Sequence, residues 1–250
     1  MKNTLGEWKA KVERTKNGYN QKSVTYMNLS QFIDVYKTEE LYLVDELDPF
    51  HPIADYAYIP KPLLCKGYLE HLLSVNMWFS SGNTKPVLHN DGYENVNCVF
   101  DGRKNLVLFD KKHDVPLVTL DNNSPFAPKL GYSLVNPEKV DLYKYPALST
   151  MPWYSASVNE GDCFYLPSFW FHYVHSTGSR SLAINIWWRP TTELYHREEC
   201  EKSVESLPMY EPLKKHPMND DMKLEQAVLH YGFLEKNETT DKSFYKAILS

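Results

Sequence analysis

The stretch Thr84-Lys85-Pro86-Val87-Leu88-His89-Asn90-Asp91-Gly92-Tyr93-Glu94-Asn95 decides how this 250-residue chain is read. It carries a His-x-Asp pair, and His172 follows 83 positions after His89 in Leu166-Pro167-Ser168-Phe169-Trp170-Phe171-His172. A His-x-Asp pair alone is commonplace and describes a surface turn well enough. Two histidines and one carboxylate, however, make the facial ligand set of a non-haem Fe(II) that keeps open positions. If residues 88–100 form a strand, alternation puts His89, Asp91, Tyr93, Asn95, Asn97 and Val99 on one side. Val96, Cys98 and Phe100 then form an apolar, core-like opposite side. A row of polar groups on such a strand suits a polar-lined cavity.

Working outward, Asp101-Gly102 between apolar runs is a strong two-residue hairpin signal. That turn would pair Phe100 with Arg103 and Val99 with Lys104, bringing Lys104 to the face of His89 and Asp91. A lysine aimed into a barrel interior is costly unless it meets an anion, so a carboxylate-bearing ligand is expected there. At the far end, Trp170–Ser176 and Ser181–Trp188 read as two strands joined by Thr177-Gly178-Ser179-Arg180. Their pairing would set His172 across from Asn185. The competing reading is a pair of satisfied core histidines among buried amides.

These residues resemble the JmjC-type Fe(II)/2-oxoglutarate oxygenases, particularly the JmjC-only hydroxylases that include factor inhibiting HIF and the JmjC lysyl hydroxylases. The resemblance rests on His89-x-Asp91, on Leu166-Pro167-x-x-Trp170-x-His172, and on Lys104 fifteen residues after the first histidine; it covers about residues 20–190. It implies a double-stranded β-helix, a cupin-like jelly-roll barrel, with Fe(II) held by His89, Asp91 and His172. It also implies O2 and 2-oxoglutarate as co-substrates, the latter's distal carboxylate on Lys104, and Asn95 and Asn185 lining the co-substrate pocket. Many members carry a threonine three residues before the first histidine. Here that position is Pro86, and Thr84 is out of register, so the hydroxyl contact is unassigned. The expected reaction is hydroxylation of a protein side chain. Histone demethylation is less favoured, since no reader or zinc module accompanies the barrel, and a small metabolite or a modified tRNA base stays open. A non-catalytic binding or scaffold barrel and a cupin-type metal enzyme without 2-oxoglutarate are the alternatives.

The rest of the chain sets bounds. A net charge of −5 gives no electrostatic footprint for nucleic acid. Eighteen tyrosines and 16 prolines suit a β-rich, turn-rich fold. Cys65, Cys98, Cys163 and Cys200 form no CxxC pair, and Cys98 and Cys163, set in apolar strand patterns, read as reduced buried thiols, with a disulfide left open for a secreted protein. Met1–Lys11 is polar and no stretch reaches membrane-spanning length, which favours a soluble protein of the cytoplasm or nucleus. The family domain usually begins with further strands, so the N-terminal part is expected to be abbreviated or incomplete, with loss of a signal left open. Val12, Val24–Tyr26, Leu41–Val44 and Val75–Ser80 read as short strands, and Asn28–Tyr36 as a helix capped by Ser30. Residues 110–160 read as a proline-punctuated insert. The domain is expected to span 1–190. Residues 191–250 read as a helical extension, which in the resembling family often forms a homodimer interface.

Overall fold

Two long antiparallel strands form the spine of the protein, seen in a computed structural model that describes residues 5–18, 23–47, 51–60, 63, 71–113, 117 and 131–190. In chain order the strands are β1 (Lys9–Glu13), β2 (Val24–Asn28), β3 (Tyr42–Glu46), β4 (Leu72–Ser80), β5 (Glu94–Phe109), β6 (Tyr154–Asn159), β7 (Cys163–Leu166) and β8 (Phe171–Trp188). The helix α1 (Leu29–Val35) follows β2 directly. The sheet runs β2-β1-β3-β4-β8-β5-β6, with β7 also paired to β5. This is the mainly β, jelly-roll architecture expected of the sequence. The anticipated extension at 191–250, with its proposed dimer helices, lies outside the described residues.

One face of the sheet carries the core. Alternate residues Leu43, Val75, Met77, Phe79, Ile184 and Ile186 are buried together, and α1 lays Leu29, Phe32 and Tyr36 over them. The Phe32 ring lies 5.4 Å from both Tyr36 and Phe79. Burying each such side chain stabilises the fold by roughly 1.5–3 kcal/mol. The helix begins two residues earlier than Ser30 would place it: Asn28 is the N-cap, and its backbone N–H donates to Gln31 Oε1 at 3.0 Å.

The opposite face is polar. Asn76, Asn185 and Asn97 lie side by side across β4, β8 and β5, and Trp78 and Trp187 occupy flanking rows. This face becomes the wall of the cavity described below.

The expected hairpins are replaced by a shared kink. Asp101-Gly102 does not turn the chain; β5 runs on through it, and β8 runs on through Thr177–Arg180. Registers shift between Val99 and Arg103, where Asp101 faces Leu182 but Arg103 faces Thr177. Gly102 supplies the positive φ of +80°, and a Cβ there would stand 2.2 Å from the Arg180 carbonyl oxygen. A bulge of this kind bends the strand and reverses which parity faces inward. Asn95 and Asn97 therefore share a wall with Lys104, although odd and even positions would otherwise diverge. Arg180 and Asp101 form an ion pair across the kink. His172 accordingly lies opposite Leu108, and Asn185 opposite Asn97, so the anticipated His172–Asn185 pairing is absent.

The regular structure in the insert is short, as its prolines suggest: the six-residue β6 pairs with the outer half of β5 from Arg103 to Leu108. One further expectation is corrected. Cys98 and Cys163 are not free thiols: they are direct partners in the β5–β7 register and form a disulfide. Cys65 and Cys200 lie outside the described residues.

Candidate active site

His89 and Asp91 precede β5 instead of lying on it, so strand alternation does not place them. The backbone does. After β4 the chain reverses through Gly82 and Asn83, both at positive φ. His89 then forms a reciprocal bridge with His172: its N–H donates to the His172 carbonyl at 3.1 Å, and its own carbonyl accepts from the His172 N–H at 2.7 Å. The Asp91 carbonyl accepts from Phe169 N–H at 2.7 Å, and Asn90 N–H donates to Gly131 at 2.7 Å. Two segments distant in sequence are thus stitched at the residues that carry the polar side chains.

The side chains converge accordingly. Asp91 Oδ2 lies 3.9 Å from His89 Nε2 and 3.6 Å from His172 Nε2, and the imidazole centroids are 4.2 Å apart. Among the described residues this is the one cluster of His, Cys, Asp or Glu groups spaced to hold a metal ion. Each Nδ1 is turned away onto a carbonyl, His89 onto Val87 at 2.6 Å and His172 onto Trp170 at 3.0 Å. With Nδ1–H donated there, both Nε2 lone pairs face the gap, the arrangement that orients metal-binding imidazoles. Burial, reinforced by the neighbouring His89 and opposed by Asp91, lowers the His172 pKa to about 4. Its imidazole is therefore neutral, the form that binds a metal.

A cavity of about 230 Å³ runs inward from this cluster. Lys104 lines it at 3% exposure, its Nζ donating to Ser176 Oγ at 3.2 Å, and no carboxylate among the described residues pairs with it. Burial alone lowers its pKa to about 8. A cation held dry and unpaired is a site prepared for an anion. Asn95, Asn97 and Asn185 line the same cavity. Asn97 Nδ2 donates to Asn185 Oδ1, and Asn185 Nδ2 donates to Asn95 Oδ1 at 3.1 Å.

All six site residues expected from the sequence, His89, Asp91, His172, Lys104, Asn95 and Asn185, thus border one cavity. Sequence reasoning missed Tyr42 and Trp78, contributed by β3 and β4. Burial, aided by the charge of Glu13, pushes the Tyr42 phenol above its ordinary pKa, while a hydrogen bond to Thr84 opposes this. Thr84 is itself buried and fixes Tyr42, whereas Pro86 lines the cavity. A strand pattern could have flagged Tyr42 as inward, but not which site it joins.

Residues 2–194 match the family model described as a cupin-like domain. The chain belongs to this family, in its JmjC branch. It is similar to the human bifunctional peptidase and (3S)-lysyl hydroxylase JMJD7, 28% identical over 132 residues that cover 46% of this chain and 41% of that protein. It is also similar to the lysine-specific demethylase JMJ30 of Arabidopsis thaliana, 26% identical over 185 residues, covering 70% of this chain and 40% of the relative. The chain thus spans less than half the length of these curated relatives. The solved structure of E. coli ycfD aligns over 99% of this chain and 62% of its own, at 13% identity and a TM-score of 0.45. Among the described residues no helix is long and apolar enough to cross a membrane.

Proposed function

We propose that this chain is an Fe(II)- and 2-oxoglutarate-dependent oxygenase that hydroxylates a protein side chain. One juxtaposition supports the reading above all: a His-Asp-His cluster with both Nε2 atoms presented, opening on a cavity whose only carboxylate-free cation is the buried Lys104 among the described residues. The donor set fits Fe(II), two imidazoles and one carboxylate leaving positions open. When bound, iron with 2-oxoglutarate and O2 supplies the oxidising power for an unactivated C–H bond.

The chain's own residues do the rest. His89, Asp91 and His172 hold the metal. Lys104 receives the distal carboxylate of the co-substrate and regains the charge that burial disfavours. Asn95 and Asn185 orient its other end, and Tyr42 narrows the cavity around it. At the mouth, Tyr132 stacks on His89 with centroids 5.8 Å apart, and exposed Phe169 stands beside Gly92. Such an aromatic rim on irregular segments suits a peptide and excludes water from the metal. The lysyl hydroxylase and lysine demethylase names of the relatives agree with a protein substrate.

The test is anaerobic titration of the Fe(II)-loaded protein with 2-oxoglutarate, following the visible charge-transfer band of the chelate. A band in the wild type that is lost in Lys104→Ala supports the proposal. Iron binding with no band points to a cupin-type metal enzyme, and no iron binding to a scaffold.

A further inference from the structure

Asn97 has no place in the site as expected from the sequence, yet it heads the amide chain. It is 6% exposed and lines the cavity. Its Nδ2 donates to Asn185 Oδ1, and Asn185 Nδ2 in turn donates to Asn95 Oδ1. Its own Oδ1 is buried without a hydrogen-bond partner among the described residues. An amide offers one accepting oxygen and one donating nitrogen, so three linked amides have a direction. Reading from Asn97, every link runs nitrogen to oxygen. With its oxygen engaged by Asn185, the group that Asn95 has left over is its NH2, a donor. Reversing the chain would leave Asn95 a carbonyl oxygen instead.

We propose that Asn97 is a positioning residue that fixes the polarity of the Asn185–Asn95 amides, so that Asn95 presents a donor, not an acceptor, to an anionic ligand in the cavity. The inference rests on the co-substrate reading above and deepens it. The fold explains why this falls to Asn97. It lies directly opposite Asn185 in the β5–β8 register, while the other neighbour, Asn76 on β4, spends its Nδ2 on Ser74 Oγ at 3.0 Å. Nothing else in the described network donates to Asn185 Oδ1. The unpartnered Asn97 oxygen also carries a chemical restriction. A dicarboxylate has no proton to give it at neutral pH, so this atom is not a contact for 2-oxoglutarate, and the residue acts through its nitrogen.

Two substitutions separate polarity from packing. Asn97→Asp keeps the shape but an ionised carboxylate only accepts, so Asn185 must turn to donate to it and Asn95 must turn in consequence. Asn97→Leu removes the donor without demanding the reverse order. The measurement is calorimetric binding of 2-oxoglutarate to the metal-loaded protein under nitrogen, alongside metal affinity and Tm. The expected order of affinity is Asn, then Leu, then Asp. The Asp variant should be weaker than wild type by roughly tenfold or more, with metal affinity unchanged. The new carboxylate also repels a dianion whatever the order of the amides, so the uncharged Leu variant carries the decision between polarity and charge. Equal affinities, or Leu weaker than Asp, overturn the proposal. If the Asp variant does not fold, the Leu variant decides alone: a severalfold loss with Tm near wild type supports it, and unchanged affinity overturns it. A metal-loaded wild type that binds no 2-oxoglutarate removes the co-substrate reading itself and the proposal with it, an outcome distinct from the variants failing to differ.

Discussion

The two ends of the cavity are built differently. At the end with the His-Asp-His cluster, His89 and Asp91 stand on irregular chain, with side chains 22% and 27% exposed, held by backbone bridges to other segments. At the inner end, Lys104 and Ser176 face each other in regular strand register and are almost fully buried. Loops supported by a rigid scaffold bring reactive groups to where a substrate enters. Paired strands can hold a buried cation fixed and dry, the setting proposed above for the co-substrate's carboxylate. The contrast teaches that reactivity and binding strength can be assigned to different kinds of backbone within one pocket.

Several substitutions should break or sharpen that contrast. Asp91→Ala removes a ligand and the negative charge of the cluster, so succinate release in the presence of added iron should fall below detection; normal turnover would refute the metal assignment. Lys104→Ala should act at the inner end only, raising the KM for 2-oxoglutarate by about a hundredfold, as loss of a buried charge partner does, while metal affinity stays near wild type. Should both parameters move together, the two ends are not separable.

The same lysine predicts a pH dependence. With its pKa lowered to about 8 in the free protein, Lys104 loses its proton as pH rises through that value. A bound carboxylate requires the charged form, so binding above pH 8 must take up a proton, and affinity should drop by about tenfold per pH unit until the pKa of the complex is reached. The stability of the free protein should move oppositely. The unfolded lysine holds its proton to about 10.5, so the unfolded state binds more protons between pH 8 and 10.5, and this group's penalty is relieved as pH rises. Titration at pH 7, 8 and 9, with and without Lys104→Ala, checks both signs.

Gly102→Ala should give the smallest change, a loss of about 1–3 kcal/mol read from chemical denaturation, because it combines a positive φ with a contact on the Arg180 carbonyl. If the kink joins the two ends, co-substrate affinity should suffer as well, whereas metal binding, held by the His89–His172 bridge, should not.

Much of this was legible in the sequence, and for uneven reasons. The spacing of His89, Asp91, Lys104 and His172 named the participants because local motifs encode chemistry directly. Lys104 reached its wall by another route than expected. A two-residue hairpin and a bulge both invert strand parity, and so they predict the same face from opposite topologies. The Asp101-Gly102 signal is local, and the long pairing of β5 with β8 overrides it. The Cys98–Cys163 bridge, Tyr42, Trp78 and the role of Asn97 were not legible, because each depends on which distant strand lies alongside, a register set by the whole sheet.

The reciprocal bridge between His89 and His172 has a consequence for the life of the protein in the cell. Because backbone hydrogen bonds link the segments that carry the two imidazoles, metal loading on the proposed reading should be separable from folding, unlike small zinc modules that collapse only around their ion, and a chelator should leave Tm near that of the loaded protein. A surplus of a tighter-binding but redox-silent metal such as zinc should then displace Fe(II) from the proposed site and lower turnover without unfolding the chain.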